Sequence, residues 1–125
     1  MLSKRIPNTN QKYFTQEIIK RIPPLYAQDG KGDDAIVHVK FFLTGSNWTW
    51  FITEASAVID DEYVALKDVK PGDDIEEIVM FGMTHGQFNE LGYTHFGELL
   101  GVRSPMFRLP VERDLHYGPT RLGDI

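Results

Sequence analysis

The sequence predicts an α+β fold: a single small domain, mostly an antiparallel sheet built on a central β-hairpin, with short helices packed on one face. Three observations carry this. Two β-rich runs, AIVHVKFFL and SNWTWFITE, flank a Thr44-Gly45 link between Ala35 and Glu54, as in a hairpin. A further run, IEEIVMFGMTHG, reads as a strand from about Glu77 to Thr84. The helix-like stretches, TQEIIKRI and HFGELLGV, are short.

Residues 1–14 read as a polar arm that docks through Tyr13 and Phe14, leaving 15–125 as the domain. Thr15 is placed to cap a helix, with Gln16 and Glu17 in its first turn. Ile18, Ile19 and Ile22 form its apolar stripe, and Pro23-Pro24 ends it. AQDGKGDD follows as a loop rich in turn residues.

In the hairpin, a two-residue Thr44-Gly45 loop pairs Leu43 with Ser46, Phe41 with Trp48, Val39 with Trp50 and Val37 with Ile52. That parity puts these apolar residues, both tryptophans included, on one core-facing side; a one-residue slip would spoil it. The opposite side carries His38, Lys40, Asn47, Thr49, Phe51 and Thr53. It is either an ordinary solvated face or a binding face, partly covered, as Ile36 and Phe42 hint.

Beyond Glu54, Tyr63, Ala65 and Val69 suit a short edge strand. Gly82 marks a bulge or a close backbone approach within its strand. A strand around Gly92–Thr94 leads into a helix with Phe96, Leu99 and Leu100 on the core side. The proline-rich tail reads as an extended segment packed through Phe107, Leu109, Val111 and Leu115.

Composition narrows the function classes. The absence of cysteine excludes a disulfide framework, thiolate metal sites and a cysteine nucleophile, and fits a reducing cytoplasm. No apolar run has the length of a membrane span, and the N-terminus does not read as a secretory signal, so a cytoplasmic location is expected. The net charge of −5 is unevenly spread. Residues 1–40 hold seven Lys/Arg against four Asp/Glu, 41–80 hold two against nine, and 81–125 hold four against five. The acidic middle argues against direct nucleic-acid binding, which needs Lys and Arg on the phosphates.

Several pieces taken together resemble a known family. They are IPPLYAQDGKGDD, VKFF with SNWTWFITE, FGM with ELGYTHFGEL, and LPVERDL. The chain is similar to the "domain of unknown function 2958" family of small bacterial and phage proteins carried on mobile elements. The resemblance spans roughly Ile22 to Leu115 and implies no catalytic residue and no cofactor. The chain departs from the family pattern in an N-terminal extension and in Gly97, where a small hydroxyl residue is common.

No catalytic motif stands out. The four histidines form no H-x-H, H-x-x-x-H or HExxH pair, and His95 with Glu98 lacks a third ligand, so no metal is expected. The acidic groups Asp33-Asp34, Asp60-Asp61-Glu62 and Asp73-Asp74 with Glu76-Glu77 are solvated loops, or else paired carboxylates for a ligand. Arg113, between Glu112 and Asp114, either grips an anionic group or lies in a stretch that pins the tail through Lys40 or an inner acid.

The leading expectation is a non-enzymatic protein-binding module of a phage or mobile element. Its partner is a host or element protein, and its concrete form is an inhibitor of a defence system such as CRISPR or restriction. Lys40, Thr49, Phe51, Asp60, Asp61, Glu62, Asp73, Asp74, Glu76, Glu77 and Arg113 are its candidate contacts. The alternative is a small enzyme or nucleotide-binding protein with a pocket at Trp50, Glu54, His85 and Arg113. A third possibility is a structural subunit that oligomerises through a strand edge.

Overall fold

One long strand organises the protein, as seen in a computed structural model that describes residues 12–125. This strand, β3 (Thr49–Ile59), is flanked along most of its length by β5 (Glu77–His85). On its other side β2 (Val39–Leu43) pairs with its first half and β4 (Glu62–Ala65) with its second. β6 (Asn89–His95) lies outside β5, and β7 (Val111–Arg113) lies outside β2. All these pairs are antiparallel. A separate two-stranded sheet joins β1 (Ile36–Val37) to β8 (Thr120–Arg121). The predicted α+β class holds.

Local chemistry explains the helices. In α1 (Gln16–Arg21), Thr15 Oγ1 accepts from Ile18 N at 3.2 Å, the expected cap. For α2 (Phe96–Gly101), the N-cap residue His95 makes no side-chain cap bond; Glu77 Oε1, reaching over from β5, accepts from Gly97 N at 2.8 Å instead. A carboxylate also suits the positive end of the helix dipole. A Cβ at Gly97 would press on this carboxylate.

Both helices cover the front face of the sheet. Ile18, Ile22, Phe96 and Leu99 pack on Val39, Phe41, Trp50, Ile52, Ala55, Ala57, Ile78 and Met80. Phe41 and Phe96 each meet Tyr13 and Phe14 edge to face, with centroids 5.2–5.9 Å apart. The Tyr13 hydroxyl donates to Val111 O at 2.8 Å. The segment around Tyr13 and Phe14 is therefore docked; the rest of the expected arm, residues 1–11, lies outside the described residues.

Four expectations are corrected. The hairpin loop is longer than two residues: Phe41 faces Trp50, Val39 faces Ile52, and Leu43 N donates to Trp48 O. Ser46 sets this, its hydroxyl donating to Leu43 O at 2.9 Å and accepting from Trp48 N at 3.1 Å. A two-residue shift preserves the faces, so Trp50 enters the core as expected. Trp48 does not: it is 42% exposed, stacked on Trp50 and lying against Gly86.

Val37 also leaves the expected face. The chain breaks its strand at His38, and Val37 joins Ala35, Phe51 and Leu122 in a small second core on the reverse side, with Met83 and Tyr117 against it. The reverse face is thus apolar beneath the tail rather than polar throughout. In the tail, Val111 is buried as expected, but Phe107, Leu109 and Leu115 are exposed. Leu122 anchors the end instead, and Arg121 pairs with Asp34 at 3.0 Å.

Candidate functional site

The best-built feature of the reverse face starts from a bulge. Register between β3 and β5 shifts from Ile52 opposite Gly82 to Glu54 opposite Phe81. Gly82 is required here, because the Phe51 carbonyl occupies the place a Cβ would take. Thr53 Oγ1 donates to Phe81 O at 3.0 Å and holds the bulge.

Beyond the bulge Glu54 is 2% exposed, a buried carboxylate that needs partners. It finds them in the loop after α1: Oε1 accepts from Tyr26 N at 2.9 Å and Oε2 from Gln28 N at 2.6 Å. Gln28, itself buried, donates to Ile36 O and Thr53 O and accepts from Ile36 N, all within 2.7–2.9 Å. Leu25 N donates to Ser56 Oγ, and Ala55 N to Pro23 O. Residues 23–28 are thereby stitched along β3 in the gap between β2 and β4. One consequence is strain: Tyr26 sits at φ 75°, a left-handed conformation costing a non-glycine residue about 1–2 kcal/mol. Such outliers persist where the surroundings over-determine them and cluster at working surfaces.

Tyr26 opens an aromatic surface. Tyr26, Tyr63, Leu91 and Tyr93 are each 50–55% exposed. Tyr26 and Tyr63 rings lie 6.5 Å apart, and Phe81 meets Tyr93 edge to face at 5.0 Å. The Tyr93 hydroxyl is pushed above its usual pKa by desolvation first, then by its hydrogen bond with Tyr26 and the nearby charges of Asp29 and Glu54.

The sequence-predicted residues fall in separate places. Lys40 pairs with Asp114 at 3.6 Å and lies over the Phe51 and Tyr117 rings at 5.6 and 6.0 Å. With Thr49, Trp48 and Phe42 it lines an open groove of about 450 Å³ beside the hairpin tip. Phe51 is buried in the second core and meets His85 edge to face, so it is a core residue rather than an exposed contact. Arg113 Nε donates to Lys12 O at 3.1 Å; the tail's link to Lys40 is made by its neighbour Asp114.

The acidic residues have structural partners. Asp60 and Asp61 form the two-residue turn between β3 and β4, both at positive φ, the signature of a type I′ hairpin turn. Glu62 begins β4. Asp73 accepts from Lys70 N at 2.8 Å, Asp74 is engaged as well, and Glu76 N donates to Val58 O at 2.9 Å. These bonds bring both acidic runs to one end of the sheet. Glu77 is the cap of α2, with His95 Nδ1 3.9 Å from its other oxygen.

The alternative pocket is not assembled. Trp50 lies in the front core and Arg113 on the row beside Phe41, whereas Glu54 and His85 belong to rows of the reverse side. Phe81, opposite Glu54, is four residues from His85, roughly 13 Å along the strand. Among the described residues, no group of three His, Asp or Glu side chains is placed to hold a metal, and no helix is long and apolar enough to cross a membrane.

Comparison of the chain with protein-family models, with curated proteins and with solved structures finds no match. The sequence segments that meet on the aromatic surface are nonetheless distant ones: PPLYAQ, TE, FGM and LGY. Leu91 and Tyr93 carry a legible signal, apolar residues two apart on a strand. Tyr26 carries none, because its conformation is imposed by Glu54, 28 residues away.

Proposed function

We propose that the chain is a non-enzymatic protein-binding module of a phage or mobile element. Its contact surface is the aromatic reverse face around Tyr26, Tyr63, Leu91 and Tyr93, and its partner is a host or element protein. The observation that supports this is the half-exposed aromatic row, in which Glu54 fixes the backbone of Tyr26. Tyrosines beside an apolar neighbour have the composition of an interface centre, where aromatic residues are enriched among the contacts that carry most of the binding energy. The carboxylate of Asp29 beside Tyr93, with the Asp60-Asp61 turn at the end of the strand that carries Tyr63, suits a partner with a basic surface, as nucleic-acid-handling proteins have. An inhibitor of a defence complex such as CRISPR or restriction is the concrete form. A charge of −5 is too small for wholesale mimicry of DNA, so the acidic patch acts locally.

Capture tests the reading. Tagged full-length chain is exposed to lysates of bacteria carrying CRISPR or restriction systems. Stoichiometric retention of a defence component is expected, reduced at least tenfold by a Leu91→Ser, Tyr93→Ser double variant. Absence of any stoichiometric defence component, or equal retention by the variant, contradicts it.

A further inference from the structure

The two outer edges of the main sheet are finished differently. β7 is three residues long, follows Pro110, and carries Glu112 and Arg113, with Glu112 tied to Thr44 Oγ1 at 2.7 Å. Short length, proline and charge are the usual means of blunting an edge against another strand. β6 is long and proline-free, and Glu90 is its one carboxylate. It runs for seven residues, NELGYTH, contains neither lysine nor proline, and shows no register break against β5. Among the described residues it pairs with β5 alone, so its outer backbone groups face outward along the whole strand.

We propose that β6 is a pairing edge for a second copy of this chain, in antiparallel register about Gly92. Gly92 is the middle residue of the strand, so a two-fold axis through it sets Leu91 opposite the second copy's Tyr93, Glu90 opposite its Thr94, and Asn89 opposite its His95. No like charges face each other, and both apolar residues of the edge meet an apolar partner. Those residues, Leu91 and Tyr93, are the half-exposed ones. A closed two-fold contact of this kind is self-complementary by construction. The axis is perpendicular to the sheet, so the aromatic faces of the two copies join on one side, with Tyr26 and Tyr63 remaining outward. This pairing is independent of any host partner.

The chain's lack of cysteine makes the test direct. A Cβ at Gly92 meets no atom within 4 Å, so Gly92→Cys is accommodated. Facing residues of an antiparallel pair have Cα atoms about 4.5–5.5 Å apart, inside the roughly 4.4–6.8 Å that a disulfide spans. Purified wild-type chain is expected to sediment at twice the 14.3 kDa chain mass. Mild oxidation is expected to cross-link Gly92→Cys fully while Glu112→Cys on β7 stays single. Thr94→Glu, which sets two carboxylates opposite each other twice per dimer, weakens association at least tenfold. A chain that stays monomeric at high micromolar concentration overturns the proposal, leaving the edge to a strand of another protein. Equal cross-linking at both edges, or a dimer indifferent to Thr94→Glu, overturns the register.

Discussion

The front and reverse faces of the sheet are made by alternate residues of the same strands, yet they are closed in different ways. The front is sealed by α1, α2 and the Tyr13-Phe14 pair over Phe41, Trp50, Ile52 and Met80. The reverse is sealed only in part, by the tail over Phe51 and by residues 23–28 along β3. Its remaining aromatics stand half in solvent. Among the described residues the front holds no buried charge in its centre, whereas on the reverse a buried carboxylate and a strained tyrosine position a loop. One face of the sheet is sealed, and the second is left partly open. The buried carboxylate and the strained tyrosine are local rules broken on the reverse face, and they support the proposed contact surface there.

The largest expected effect is on the sealed side. Phe41→Ala removes a fully buried ring packed edge-on against Tyr13 and Phe14, and urea unfolding should show a loss of about 3–5 kcal/mol. Glu54→Ala comes next on the reverse side. It strips the partner from the buried Gln28 amide and the part-buried Tyr26 amide; at about 1–3 kcal/mol for the buried one and about 1 kcal/mol for the other, the loss should be about 2–4 kcal/mol. A smaller loss would mean that the loop is held mainly by Gln28, and the contrast between the faces would weaken.

The smallest effect is on pH dependence. His38, at the break between β1 and β2, has its pKa lowered by burial first and then by the Arg21 guanidinium. The folded chain therefore binds this proton less readily than the unfolded one, and the favourable term is present above pH 6.5. It is lost as pH falls from there through the folded value. His38→Gln should flatten that part of the stability profile, measured by urea midpoints between pH 7.5 and pH 5; an unchanged slope would remove His38 as its source.

Much of the front face was legible in the sequence, because its signals are local. Thr15 caps where expected, Pro23 ends α1, and Phe96 and Leu99 point inward. Parity placed Phe41, Trp50 and Ile52 together even though the loop was two residues too short, since a shift of two leaves every side chain on its face. Parity has no hold where a strand stops, and there it misplaced Trp48 and Val37. The reverse face rests on distant contacts: β1 with β8, Leu122 beneath the tail, Glu54 with Tyr26. Nothing near Tyr26 in the sequence announces a left-handed conformation, and nothing near Glu77 announces that it caps a helix twenty residues on. The acidic groups were visible as charges, but their duties as turn formers and caps depend on backbone geometry.

The central claim is that the reverse aromatic face is arranged for binding rather than for holding the fold, and Tyr26→Gly tests it most directly. Glycine accepts φ 75° without a steric penalty, so the urea midpoint should stay level or rise, by no more than about 1 kcal/mol of stability. Retention of the defence component captured by the wild-type chain should fall at least tenfold in the same variant. Wild-type capture by a stable Tyr26→Gly chain would contradict the account.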